Sequence, residues 1–140
     1  MDKILFLIKP DAIQCRQEIA IKMFLKDRNI NFYDEKRMLL NELQAKIICK
    51  KYRGEEFFER LVNLLISSMS IAYIISGSNI INKMKEIVGD FNPMNAEEGS
   101  LRKSFLNSMF LFDGEDPIYN SVIFSEDRES AVRDIKIIYG

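Results

Sequence analysis

Five consecutive apolar residues, Ile4-Leu5-Phe6-Leu7-Ile8, run directly into Lys9-Pro10-Asp11. A short unbroken apolar run of this kind reads as a buried strand, so residues 3–9 belong in the interior of a sheet. Pro10 has no N–H to give a ladder, which ends the pairing there. Asp11 can cap the helix that follows. Lys9 is left as a cation at the end of an apolar strand, and burying an ammonium is costly unless it meets an anion. Two readings stand: the side chain snorkels to solvent, or it meets a bound anion.

Downstream the hydrophobic pattern alternates. Residues 12–28 are loosely helical, and Asn29 to Met38 forms a second, half-solvated strand through Ile30, Phe32 and Tyr33. Asn41 is suited to N-cap a helix carrying Leu43, Ile47 and Ile48. Gly54 breaks that helix, and Phe57, Phe58, Leu61, Val62 and Leu65 then recur at helical spacing. Ile71 to Ile75 is a third strand. Ile80 to Val88 is an amphipathic helix closed by Gly89. Residues 89–117 are irregular, a loop of functional length. Ile118 to Phe124 is the fourth strand, and Glu126 to Ile135 the last helix. The order β-α-β-α-α-β-α-β-α contains the ferredoxin-like β-α-β-β-α-β plan with extra helices. The expected fold is therefore α+β: a ferredoxin-like α/β sandwich with a four-stranded antiparallel sheet, formed as a single domain over residues 1–140.

Composition narrows the function. Twenty basic residues against 21 acidic ones give a net charge of −1, so no overall basic field points to nucleic acid or a membrane surface. The Lys50-Lys51 and Arg53 cluster reads as a solvated helix face. No stretch approaches the ~18 apolar residues of a membrane span. Two cysteines, Cys15 and Cys49, lack metal-ligand spacing, and the chain contains no histidine at all, which argues against structural zinc. The expectation is a cytoplasmic protein with reduced thiols.

Ile8-Lys9-Pro10-Asp11-Ala12 resembles the opening signature of the nucleoside diphosphate kinase family. Three further blocks follow in the family's order. Glu56-Phe57-Phe58-Glu59-Arg60-Leu61-Val62 resembles its Pro-Phe-Phe-x-x-Leu-Val helix. Gly89-Asp90-Phe91-Asn92-Pro93 resembles its Gly-x-Thr-Asn-Pro turn, and Glu98-Gly99-Ser100-Leu101-Arg102 its Pro-Gly-Thr-Ile-Arg segment. Together they span about residues 3–135, and blocks in register are far more specific than any one of them.

The resemblance implies a nucleotide pocket. In it Lys9 and Arg102 contact phosphate, Lys85 stands where the family has an arginine, and Phe57 and Leu61 flank the base. Asn120 contacts sugar and phosphate. From helical spacing alone Phe57 and Leu61 are equally well core residues, and Asn120 equally well serves a turn after Pro117. The implied ligand is a nucleoside di- or triphosphate, with magnesium accompanying it; the implied assembly is a homo-oligomer.

The same resemblance exposes a loss. The family's phosphate-carrying histidine lies in an Asn-x-x-His-x-Ser segment, which here is Asn120-Ser121-Val122-Ile123-Phe124-Ser125, so Ile123 occupies the histidine position. No realignment restores it in a chain without histidine. Further departures gather nearby: Phe91 replaces a phosphate-contacting threonine, Phe124 a small residue, and Cys49 a tyrosine, with Tyr52 one turn on. Ser125 would need a general base to act as a nucleophile. Glu126 reads either as an acyl-phosphate acceptor or as an acidic residue favouring the start of the last helix. The expected function is a nucleoside diphosphate kinase-like protein, inactive in phosphohistidine-dependent transfer, with a degenerate pocket and a binding or regulatory role. The alternative is an active phosphotransferase using a route without histidine.

Overall fold

The computed structural model describes residues 2–109 and 115–140. Its frame is a four-stranded sheet in the order β2-β3-β1-β4. The strands are β1 (Asp2–Ile8), β2 (Asn31–Met38), β3 (Ser70–Gly77) and β4 (Val122–Phe124). All three pairings are antiparallel. The apolar run of β1 is explained by its place between β3 and β4. Ile4, Phe6 and Ile8 point to one core layer, and Leu5 and Leu7 to the other. A strand buried on both faces has no polar alternation to show.

Helices cover each face. Helices α1 (Pro10–Gln14), α2 (Glu18–Asp27), α5 (Ile80–Val88) and α6 (Leu101–Ser104) supply the first layer through Ala12, Ile21, Leu25, Met84 and Leu101. Helices α3 (Glu42–Ile48), α4 (Phe58–Ser67) and α7 (Arg128–Tyr139) supply the second through Ala45, Leu61, Leu65 and Ile138. The expected α+β architecture is therefore the one formed. Asn41 does cap α3, in a reciprocal capping box with Gln44. Gly89 does close α5 at φ 87°, and a Cβ there would lie 2.8 Å from Ser100 Oγ, so both the turn and the close approach to α6 call for glycine.

Five expectations need correction. Helix α3 ends at Ile48, ahead of Gly54, and the last helix runs over Arg128–Tyr139 rather than from Glu126 to Ile135. The helix expected over 12–28 is two helices, broken where Arg16 adopts a left-handed φ of 58°. Asp11 is not a cap: α1 begins at Pro10, whose fixed φ suits a first helical position, and the Asp11 carboxylate instead accepts from Ser121 N–H at 3.0 Å. The fourth strand is confined to Val122–Phe124, because Ser121 turns through a φ of 77°. Part of the long irregular stretch, residues 110–114, lies outside the described residues. The rest holds α6 and single 3-10 turns at Pro93–Asn95 and Leu106–Met109. Cys15 and Cys49 are free. Among the described residues no helix is long and apolar enough to cross a membrane.

Candidate nucleotide site

An open cavity of about 620 Å³ lies where the end of α5, the turn after it, the start of α6 and the end of β4 converge. Its cations are Lys51, Lys85 and Arg102, its anions Glu86, Asp90, Glu97 and Glu126, and its rings Tyr52, Phe91 and Phe124. Of the residues the resemblance assigns to the nucleotide, only Lys85 and Arg102 line it. Lys9, Phe57, Leu61 and Asn120 do not.

Lys9 resolves neither to solvent nor to the cavity. Its side chain is fully buried, donates to the Ile118 carbonyl and pairs with Asp11 at 3.4 Å. Burial drives its pKa down, and Asp11 opposes that shift. Arg102, 4 % exposed, donates to three backbone carbonyls: Asn120 at 3.3 Å, Gly89 at 3.2 Å and Val122 at 2.8 Å. Its fork is thus engaged by the chain itself. Asn120 is also buried; its amide donates to the Phe91 carbonyl at 2.8 Å. Leu61 is a core residue with no exposed surface.

The rings form their own cluster. Phe57 and Phe91 stack with centroids 4.8 Å apart at 23°. Tyr52 lies 4.8 Å from Phe91 and 5.6 Å from Phe57. Tyr52 reaches the cavity wall, whereas Cys49 is wholly buried and its thiol is pushed up to about 12 chiefly by that burial.

At the end of β4, Ile123 and Phe124 carry only hydrocarbon side chains. Ile123 pairs with Leu7 and is buried in the layer beneath α4 and α7, while Phe124 forms the cavity wall. Ser125 is 2 % exposed; its hydroxyl accepts from Leu5 N–H at 3.2 Å and donates to Asp134 at 3.0 Å. It ties β1 to α7 and has no path to a ligand. Glu126 is not the helix start either. Asp127 caps α7 by accepting from Ser130 N–H at 2.7 Å, and Glu126 faces the cavity, paired with Lys51 Nζ at 2.8 Å. Sequence reasoning passed over Lys51, Asp90 and Glu97. Lys51 sat in a basic cluster that reads as solvated surface, Asp90 holds the unspecified position of the Gly-x-Thr-Asn-Pro turn, and Glu97 lies outside every motif.

Asp134 carries a measurable consequence. Burial raises its carboxyl to about 6 from 3.8, against the opposing Ser125 and Arg133 bonds. Between those values the folded protein binds more protons than the unfolded chain. The contribution of this group is fully present below about pH 4 and is lost as pH rises to about 6. The loss amounts to up to about 3 kcal/mol. Urea unfolding of the wild type and Asp134→Asn at pH 4 and pH 7 should show the variant more stable relative to wild type at pH 7. An unchanged difference would remove this account.

The sequence matches the nucleoside diphosphate kinase family profile over residues 2–140. The chain belongs to the nucleoside diphosphate kinase family. The nucleoside diphosphate kinase of Lawsonia intracellularis is 33 % identical over 134 residues, 95 % of this chain and 91 % of the relative. That of Actinobacillus pleuropneumoniae serotype 3 is 31 % identical over 135 residues, 96 % of this chain and 92 % of the relative. The fold is shared with the apo nucleoside diphosphate kinase of Encephalitozoon cuniculi, at TM-score 0.85 and 22 % identity, over 100 % of this chain and 90 % of the other. It is shared also with the Halobacterium salinarum nucleoside diphosphate kinase in complex with CDP, at TM-score 0.83 and 21 % identity, over 99 % of this chain and 87 % of the other.

Proposed function

We propose that this nucleoside diphosphate kinase family member does not transfer phosphate through a protein-bound phosphohistidine and serves instead as a binding or regulatory module with a residual phosphate-facing cavity. The observation that carries this is Ile123, an alkyl side chain packed into the core at the family's histidine position in a chain with no histidine. The surroundings support it. Lys9, Arg102 and Asn120 serve the fold, and at the cavity Lys85 and Lys51 stand among four carboxylates, with Lys51 paired to Glu126. Phe91 in place of a threonine removes a hydrogen bond to a charged group, which costs ~1.5–3 kcal/mol.

A nucleoside di- or triphosphate is the ligand class that fits a family member with these cations. Among the described residues no group of three or more acids or cysteines is placed to hold a metal. Magnesium would enter with the phosphates, which supply oxygen ligands to it. Reduced thiols at Cys15 and Cys49 suit a cytoplasmic setting.

The enzymatic alternative rests on the retained cations and on Glu126, a carboxylate on the cavity wall at the end of β4. Incubation with γ-labelled ATP separates the readings. We expect no labelled protein and no exchange onto a diphosphate. A labelled, hydroxylamine-sensitive protein would establish an acyl phosphate and overturn the proposal.

We also propose a homo-oligomer. Ile19 and Met23 on α2 are 69 % and 58 % exposed, and Leu39, at the end of the edge strand β2, is 57 % exposed. Exposed apolar side chains of this kind suit burial in an interface between copies of the chain. Light scattering should give at least a dimer mass across micromolar concentrations, and a monomer mass throughout would exclude it.

A further inference from the structure

Phe91 lines the cavity and Phe57, directly behind it, does not. The near-parallel contact between them, 4.8 Å between centroids, is the arrangement a planar base adopts on an aromatic side chain. The turn carrying Phe91 is held from two sides. Asn120 donates to the Phe91 carbonyl at 2.8 Å, and Arg102 to the Gly89 carbonyl at 3.2 Å, with the guanidinium 5.7 Å from the Phe91 ring centroid. Tyr52 closes the cluster at 4.8 Å. A ring fixed by its own backbone and by two neighbouring rings is not a side chain awaiting displacement.

We propose that Phe91 determines ligand specificity: it takes the stacking place on Phe57 from within the chain, so the cavity accepts a phosphate chain without recognising a base. The proposal rests on the residual phosphate-facing cavity proposed above. Lys85 and Lys51, the latter paired with Glu126 at 2.8 Å, line that cavity, and phosphate recognition by lysine is a matter of point charge. The face of Phe57 that Phe91 covers is closed to a base.

Calorimetric titration of the wild type with tripolyphosphate, ATP and adenosine tests this, alongside Phe91→Ala and Phe91→Leu. Leucine keeps apolar bulk without a planar ring, which guards against a variant that fails to fold. Wild type should bind ATP and tripolyphosphate within about threefold of one another and adenosine not at all at millimolar concentration. In the variants ATP and adenosine should each gain about tenfold or more, the scale of one base stacking on one ring, with tripolyphosphate unchanged. Wild type binding ATP more than about tenfold tighter than tripolyphosphate would overturn the proposal. So would folded variants that show no gain for adenosine. If tripolyphosphate binds to none of the proteins, the residual-cavity reading fails and base-independent phosphate binding fails with it. The adenosine gain still decides whether Phe91 covers the platform.

Discussion

Replacing Lys9 by methionine is expected to destabilise the protein by about 3–5 kcal/mol, the range for removing one partner of a buried ion pair. The loss comes from what stays behind. The Asp11 carboxylate, also without exposed surface, loses its cation, and the Ile118 carbonyl loses its donor. The double variant Lys9→Met with Asp11→Asn should recover a substantial part of the stability, because the unpaired charge is gone. Chemical denaturation of the wild type, both single variants and the double variant gives the coupling directly. If Lys9→Met costs less than about 1 kcal/mol, the lysine is not held in the manner described.

Ile123→His is expected to leave nucleotide exchange at least about a hundredfold below that of an active family member. An imidazole at position 123 enters a layer shared with Leu7 and Leu61, not the cavity, whose wall here is Phe124. The Arg102 donors already meet three carbonyls, and Phe91 still covers Phe57. Transfer requires reacting atoms within about 3–3.5 Å, and a displacement of about 1 Å costs on the order of a hundredfold. Adding Phe124→Gly, which removes the ring that walls the cavity next to position 123, together with Phe91→Thr should bring exchange up to a measurable level. A coupled assay at saturating nucleotide decides the matter, and family-like turnover by the single variant would show that the nucleophile alone had been lost.

Much of the frame was legible in the residues because it is written in local pattern. The apolar run Ile4–Ile8, the Asn41 cap with Gln44 three residues on, and Gly89 after Val88 each specify their own neighbourhood. The break at Arg16 was hidden, since a non-glycine residue takes the left-handed conformation there and no glycine or proline punctuates the sequence. The site was harder for a different reason. Lys9 finds its acceptor at Ile118, 109 residues away, and Phe91 is held by Asn120, 29 residues away. Helical spacing described Leu61 correctly as core, but it has no means of showing that Phe91 lies over Phe57. Resemblance gave the positions of the family's binding residues; only the packing revealed how many of them now hold the chain together.

The central place of β1 also has a bearing on how the protein is made. Of the four strands this one is synthesised before the others, yet its pairing partners are β3, which ends at Gly77, and β4, at Val122–Phe124. The Leu5 N–H meets Ser125 Oγ across 120 residues of chain. On the ribosome β1 therefore waits for its second neighbour until Val122–Phe124 has been made, with its Ile4–Ile8 backbone edge open. Pairing over such separations is slow, and an unpaired apolar edge invites association with other chains. A nascent or truncated chain that stops before residue 122 keeps that edge permanently open, so early termination should yield an aggregating product rather than a smaller folded one.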